Sequence, residues 1–327
     1  MTLTPRKKRL LAVAFVILGG LSLINASWLA PTPVGGPKLV AHRGVSHLYD
    51  KTGLGRDDCT ATRIRTPEHD IFENTTKSMK MAAGLGANIV EVDIAPTKDN
   101  RMVLFHDWTI DCRTNGKGET RDHTLAELQA LDIGFGYSAD GGKTFPLRGK
   151  GVGMMPTMEQ ALAELQSRAI LFNFKSNDAA EADQLAAIIK ASGRDAAKLG
   201  DGFYGAQAPV DRIRKLMPGT WAFSKDEAKA CTKAYVATGW TGIVPGACKD
   251  AALFIPLNYQ WTMWGWPNRL ISRMESVGAK VIVFGPFDKD DATGGLTEPG
   301  QLGDIPSSFN GYIWVEDIWA VGPALKR

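Results

Sequence analysis

Two carboxylates, Glu91 and Asp93, interrupt an otherwise apolar stretch of the chain, residues 88–107. The β-branched residues around them predict a buried strand, and residues two apart on a strand point to the same face. Two like charges on one buried face are costly unless something neutralises them. A hard divalent cation, Mg²⁺ or Ca²⁺, would do so through oxygen ligands. A solvated strand face, or pairing with Lys or Arg, is the alternative.

Other short apolar runs also end in polar side chains that could take part in chemistry. They are His42 and Arg43 after residues 38–41, His106 and Asp107 after residues 102–105, and Asn173 and Lys175 within residues 169–175. If these runs are strands of one parallel barrel, the polar residues meet at its carboxyl-terminal face, where barrel enzymes carry their sites.

The elements that would position these residues alternate between short apolar strands and helices, from residue 38 to a last predicted strand at 312–315. This alternation predicts an α/β protein with a parallel sheet. Strands that end in polar residues favour a TIM (β/α)8 barrel. A doubly wound open sheet is the alternative, but it would carry a glycine-rich first turn, and the first strand here ends in His42-Arg43-Gly44.

Composition and the N-terminus limit the possible partners and the cellular location. The 327 residues carry a net charge of +3 and no basic block outside the N-terminus, so nucleic-acid binding is not expected. There, Arg6–Arg9 precede an apolar run, Leu10–Ile24, which is typical of an export signal. Cleavage after Ala26 would place Ile24 where a small residue is needed, which favours an uncleaved membrane anchor over a cleaved signal peptide.

We therefore predict a signal peptide or transmembrane anchor over residues 1–30, a linker rich in Pro and Gly over 31–37, and a barrel domain over 38–327. The basic residues would keep the N-terminus inside. The barrel would then be exported, either to the periplasm or on the outer side of the membrane, with the N-terminal helix as its membrane contact.

Four cysteines fit an exported protein, since disulfides form outside the cytoplasm. Four cysteines allow three pairings, of which we favour Cys59–Cys112 and Cys231–Cys248. Free buried thiols are the alternative.

The order of motifs resembles the glycerophosphodiester phosphodiesterase family, over about residues 38–180. The motifs are Val40–Gly44, Glu73–Thr75, Glu91–Asp93, His106–Asp107, Thr114–Gly118, Thr124–Leu128 and Phe172–Lys175. The resemblance implies a TIM barrel that uses a divalent metal, Mg²⁺ or Ca²⁺, to hydrolyse a glycerophosphodiester or a related phospholipid head group to glycerol phosphate and an alcohol.

The resemblance also implies roles for single residues. Glu91 and Asp93 would bind the metal, Arg43 would hold the phosphate, and His42 and His106 would be the general acid and base. Elementary chemistry agrees with these roles: cations neutralise the anionic diester, and two imidazoles that titrate near neutrality can share the proton transfers.

The sequence departs from the family at the end of one strand, where Asn173 occupies the position of a metal-binding glutamate. Its amide oxygen could still bind a metal, but the site loses one negative charge, and Glu73 could compensate. Lys175 either contacts the phosphate or neutralises Glu91. The loop between residues 44 and 73 is also longer than usual, and a disulfide from Cys59 to Cys112 would hold it over the mouth of the site.

A third departure is the tryptophan-rich segment 259–267. Its rings could bind a quaternary ammonium or a membrane interface, or could simply pack. Two other functions therefore stay open: a phospholipase D-like lipid hydrolase, favoured by the anchor and this segment, and a non-catalytic phosphate-binding barrel, favoured by Asn173. We expect His47, His69 and His123 to be ordinary surface residues, with His47 the foremost exception.

Overall fold

The computed structural model describes residues 4–55, 58–289 and 294–325. The strands are β1 (Lys38–Ala41), β2 (Ile89–Pro96), β3 (Met102–Leu104), β4 (Ala169–Phe174), β5 (Gly202–Gly205), β6 (Trp221–Ser224), β7 (Ala252–Pro256), β8 (Lys280–Phe284) and β9 (Tyr312–Val315). The α-helices are α1 (Pro5–Ile24), α2 (Thr76–Gly84), α3 (Leu125–Gln129), α4 (Met158–Glu164), α5 (Ala180–Ala191), α6 (Ala196–Leu199), α7 (Gln207–Leu216), α8 (Lys225–Thr238), α9 (Asn268–Glu275) and α10 (Ile318–Val321).

Eight parallel strands form a nearly closed barrel in the order β6-β5-β4-β2-β1-β9-β8-β7. The predicted TIM barrel is thus confirmed. The open doubly wound sheet is excluded because the first strand, β1, pairs with the last, β9, and the parallel strands follow one another in chain order around the barrel. Strand β3 lies outside this order and pairs antiparallel with β2. It leads the chain back to the carboxyl end of β2, where residues 105–107 follow.

The helix starts follow the sequence signals closely. Helices α2, α3, α4 and α8 begin with capping boxes at Thr75, Thr124, Thr157 and Ser224, in which the cap hydroxyl accepts a bond from the backbone N–H three residues on. Each cap is a serine or threonine, so residue types of short range mark these helix starts.

Helix α1 forms where the export signal was predicted. Across the described ranges, no helix combines the length and the apolar character needed to cross a membrane. The prediction of a transmembrane anchor is therefore not supported, because the basic residues Arg6–Arg9 belong to α1 and shorten its apolar part to Leu10–Ile24.

The end of α1 is joined to the barrel through a buried arginine. Nη2 of Arg273 donates to the Ile24 carbonyl at 3.0 Å, and its Nη1 donates to Asn25 Oδ1 at 3.0 Å. Asn25 in turn donates to the Trp240 carbonyl at 2.7 Å. The last residues of the predicted N-terminal segment thus contact the barrel domain.

Two disulfides are present, Cys59–Cys112 and Cys231–Cys248, the pairing that the sequence analysis favours. The first joins the long loop after β1 to the segment after β3. The second joins α8 to the turn that precedes β7.

Candidate active site

The backbone at the end of β1 brings Arg43 against the carboxylates of β2. Arg43 adopts a left-handed conformation with φ of 59°, and Gly44 follows with φ of 74°. A side chain at Gly44 would meet the hydroxyl of Ser78 at 2.6 Å, so only glycine fits there. In this turn the N–H of Arg43 donates to Glu91 Oε2 at 2.9 Å.

Glu91 and Asp93 lie fully buried on one face of β2, as the alternation along a strand predicts. Glu91 accepts a second hydrogen bond from the hydroxyl of Tyr204, at 2.7 Å. Burial and the charge of Asp93 raise the pKa of Glu91. Burial alone would raise the pKa of Asp93 as well, but Lys175, His106 and Arg43 hold it below its usual value.

Asp93 is surrounded by donors. Asn74 Nδ2 donates to its Oδ2 at 3.0 Å and Asn173 Nδ2 to its Oδ1 at 2.8 Å. Lys175 Nζ lies 3.6 Å from Oδ1, and Arg43 Nε lies 3.5 Å from Oδ2. Of the two roles considered for Lys175, neutralising Glu91 or contacting the phosphate, the structure shows a pairing with Asp93 instead and leaves the phosphate role a prediction.

Asn173 sits beside Asp93 because β2 and β4 pair in that register. Its Oδ1 is buried and has no hydrogen-bond partner in the structure. Two carboxylates and an amide oxygen form a donor set that hard divalent cations accept, so Glu91, Asp93 and Asn173 fit a metal. The described part of the chain contains no group of three or more His, Cys, Asp or Glu residues that could hold one without the asparagine.

Glu73, the predicted substitute ligand, is paired on both carboxylate oxygens. Its Oε1 accepts from Arg43 Nη1 at 2.8 Å, and its Oε2 accepts from Arg113 Nη1 at 3.2 Å. Glu73 therefore neutralises two arginines in this structure, and its role as a metal ligand stays a prediction.

The two predicted acid–base histidines each contact a carboxylate through Nδ1. His42 Nδ1 lies 2.9 Å from Glu316 Oε1, and His106 Nδ1 lies 2.7 Å from Asp107 Oδ1. Such contacts fix the orientation of an imidazole. The Nε2 atom of His42 accepts a hydrogen bond from Arg43 Nε at 3.2 Å, so this ring also contacts the arginine. Burial and the charge of Arg43 lower the pKa of His106.

Sequence reasoning missed three residues of this site: Arg113, Tyr204 and Glu316. A signal existed for two of them, since Glu316 directly follows the last predicted strand and Arg113 directly precedes the Thr114–Gly118 motif. Tyr204 lies in an apolar strand, and its contact with Glu91 could be found only once β5 had its place in the barrel.

The other histidines depart from the surface prediction. The rings of His47 and His69 stack with centroids 4.4 Å apart, and His47 is buried with an Nε2 that has no partner. The expected exception is thus His47, whose ring also lies 5.6 Å from that of Tyr137 between centroids. His123 is half-buried, with Nε2 2.7 Å from the Lys117 carbonyl.

Two of the three tryptophans in segment 259–267 contact neighbouring elements of the barrel domain. Trp264 donates to the Val236 carbonyl in α8 at 3.0 Å, and Trp266 packs on Phe309. For these two residues the contacts favour packing. Trp261 is 81% exposed and stacks on Tyr259, so a binding role of this ring stays a prediction.

The aromatic residues that lie beside the site come instead from strands β5 to β9. They are Tyr204, Phe223, Phe254, Phe284 and Trp314, whose rings contact one another in sequence. Trp314 also lies 5.4 Å from His42 between ring centroids.

Residues 42–199, which contain His42, Arg43, the carboxylates of β2 and the end of β4, match the Glycerophosphoryl diester phosphodiesterase family. This match covers a little under half of the chain and contains most of the motifs on which the resemblance rests. Among curated relatives, the glycerophosphodiester phosphodiesterase of Bacillus subtilis (strain 168) is 31% identical over 168 residues, which are 48% of this chain and 47% of that protein. Human glycerophosphodiester phosphodiesterase 1 is 33% identical over 124 residues, 37% of this chain and 35% of that protein.

This chain thus spans about half the length, or less, of these curated relatives. Solved structures agree with the fold over more of the chain. A glycerophosphodiester phosphodiesterase from Agrobacterium tumefaciens superposes with a TM-score of 0.57 at 17% identity, covering 88% of this chain and 99% of that one. An Oleispira antarctica phosphodiesterase, solved with the product sn-glycerol-3-phosphate, gives a TM-score of 0.56 at 17% identity, covering 88% and 96%.

Proposed function

We propose that this protein is a phosphodiesterase that hydrolyses glycerophosphodiesters to glycerol phosphate and an alcohol. The observation that supports this most is the arrangement around Arg43: two histidines, each held by a carboxylate at Nδ1, and two buried carboxylates of β2 surround one arginine. The match of residues 42–199 to the Glycerophosphoryl diester phosphodiesterase family supports the same reaction.

A divalent metal, Mg²⁺ or Ca²⁺, held by Glu91, Asp93 and Asn173, would supply positive charge to the phosphate. The chain's own cations act with it. Arg43 and Lys175 lie beside Asp93 and can bind the phosphate oxygens through charge-assisted hydrogen bonds. This charge lowers the repulsion that an attacking oxygen meets.

His42 and His106 then exchange the protons. One imidazole takes a proton at its Nε2 from the attacking oxygen, which is that of water or of a neighbouring substrate hydroxyl, and the other gives one to the departing alkoxide. Where a substrate hydroxyl attacks, water then opens the cyclic phosphate to give glycerol phosphate. In each case the carboxylate at Nδ1 stabilises the protonated ring, as Glu316 does for His42 and Asp107 for His106.

The test is hydrolysis by the purified full chain. Glycerophosphocholine, glycerophosphoethanolamine and a lysophospholipid would each be offered with Mg²⁺, with Ca²⁺ and with chelator. Glycerol phosphate release that requires metal and is lost in His42→Ala is the expected result. Head-group release from lipid alone would indicate a phospholipase D-like activity. No turnover by folded protein that still binds sn-glycerol 3-phosphate would indicate a non-catalytic phosphate-binding barrel.

We also propose that the protein is exported. The basic start and apolar remainder of α1 form the pattern of an export signal, and both disulfides fit an oxidising compartment. Cell fractionation, with membrane and periplasmic fractions assayed separately, tests this proposal. Recovery of the protein only in the cytoplasm, with reduced cysteines, would contradict it.

A further inference from the structure

A hydrogen bond beside the disulfide Cys59–Cys112 joins the same two segments a second time. Thr60 follows Cys59, and Arg113 follows Cys112. Nη2 of Arg113 donates to Thr60 Oγ1 at 2.6 Å. The long loop after β1 and the segment after β3 are therefore joined twice, once covalently and once through the guanidinium of Arg113.

Arg113 is buried with 3% of its surface exposed. Besides Thr60, it contacts three side chains: Nε donates to Asp107 Oδ2 at 2.8 Å, and Nη1 donates to Glu73 Oε2 at 3.2 Å and to the Tyr137 hydroxyl at 2.7 Å. A planar guanidinium can bind two carboxylates in a fixed mutual orientation, which a lysine ammonium cannot do.

Each of the two carboxylates also binds a residue of the candidate active site. Asp107 contacts His106, and we call these two residues the acid–base pair. Glu73 contacts Arg43, and we call these two the phosphate pair. Arg113 lies between the pairs and bonds to both, so a displacement of its side chain moves both.

We propose that Arg113 is a positioning residue that holds the acid–base pair and the phosphate pair in one arrangement, and that Thr60 and the Cys59–Cys112 disulfide fix Arg113 in place. This inference rests on the proposed phosphodiesterase function. Arg113 itself touches neither reacting atom: it acts through Asp107 and Glu73.

The proposal has a kinetic signature. Displacing the acid–base pair lowers kcat, while displacing the phosphate pair raises KM. Loosening Arg113 therefore does both at once, by about 10- to 100-fold in kcat/KM, the range that small misplacements of catalytic groups produce. A residue that only stabilises the fold would lower the active fraction and leave KM unchanged.

The experiment compares matched variants of the full chain. Thr60→Val removes the hydroxyl that holds Arg113, and Thr60→Ser retains it. Arg113→Lys keeps the charge but loses the planar guanidinium that can bind two carboxylates. The double variant Cys59→Ser/Cys112→Ser opens the flanking disulfide, and Cys231→Ser/Cys248→Ser opens the other one as a control. Circular dichroism gives the folded fraction, and calorimetry with sn-glycerol 3-phosphate gives a binding constant without turnover.

We expect Thr60→Val, Arg113→Lys and Cys59→Ser/Cys112→Ser to lower kcat, raise KM and weaken sn-glycerol 3-phosphate binding. Thr60→Ser and Cys231→Ser/Cys248→Ser should match the parent chain. If Thr60→Val and Arg113→Lys fold and retain the parent's kcat, KM and binding constant, the inference is overturned. The same holds if kcat falls while KM and the binding constant stay unchanged.

Failure of the proposed function would look different. In that case the parent chain hydrolyses no diester, and the binding constants still report whether Arg113 positions the phosphate pair. If the double cysteine variant does not fold, the two threonine variants and Arg113→Lys still decide the question.

Discussion

Replacing Glu316 by glutamine removes the negative charge beside His42 and one of the two acceptor oxygens of that side chain. Glu316 directly follows β9, and its Oε1 lies 2.9 Å from His42 Nδ1. Its Oε2 accepts the N–H of Gly295 at 3.0 Å and lies 3.8 Å from Lys51 Nζ. Glutamine keeps the shape and one acceptor oxygen. With that oxygen towards His42 and the amide NH2 towards Gly295, the ring keeps its partner while the negative charge beside it disappears.

The cost follows from the burial of the pair, whose side chains are 15% and 5% exposed. Changing a charge-assisted hydrogen bond to a neutral one costs about 1–1.5 kcal/mol, which is about a 10-fold loss in rate. An upper limit comes from Coulomb's law: two charges about 4 Å apart at an effective dielectric constant of about 20 interact by roughly 4 kcal/mol, or about 1000-fold. We therefore expect kcat to fall between about 10-fold and about 1000-fold.

The assay is steady-state hydrolysis of glycerophosphocholine at saturating substrate and metal. Glu159→Gln is the control, because Glu159 also has one basic partner, Arg101 at 3.0 Å, but lies on the surface, where such pairs contribute little. If folded Glu316→Gln retains kcat within a factor of about two of the parent, the charge of Glu316 does not assist His42, and the reasoning from the buried pair is refuted.

Three further predictions concern metal binding, stability and pH. Asn173→Asp should tighten Mg²⁺ or Ca²⁺ binding by about 10-fold in calorimetry, because it restores a carboxylate. Without metal it should lower the melting temperature, because the new carboxylate faces that of Asp93. Unchanged affinity would argue against a metal there. Asp201→Ala should lower the free energy of unfolding by about 3–5 kcal/mol in urea titrations, because the Arg194 charge loses its carboxylate partner and the Ile170 N–H loses its acceptor. A loss under about 1 kcal/mol would contradict this. Burial lowers the pKa of His47 to about 4, so this ring binds its proton at a lower pH in the folded state than in the unfolded state. The stability from neutral His47 is then complete above about pH 6.5 and lost as pH falls towards 4. In His47→Gln, the free energy of unfolding from urea titrations should therefore change less with pH in that window.

Local patterns in the sequence were enough to predict the strands and their polar ends. The alternation around Glu91 and Asp93 places both on one face of β2, because side chains alternate strictly along a strand. The capping threonines of α3 and α4 and the (β/α) rhythm were equally local. From these signals the barrel, and the meeting of His42, Arg43, the two carboxylates and His106, could be predicted.

The tertiary structure decided which partners those residues have. Glu316 and His42 are 274 positions apart and meet only because β9 pairs with β1. Arg113 reaches Glu73, 40 positions earlier, because the segment after β3 and the chain that precedes α2 meet in the fold. No short-range pattern encodes such contacts, since they depend on the order of strands and on the path of long loops. The sequence by itself thus determined which groups carry the chemistry, and barrel closure determined which groups orient them, because periodicity acts over a few residues while pairing acts across the whole chain.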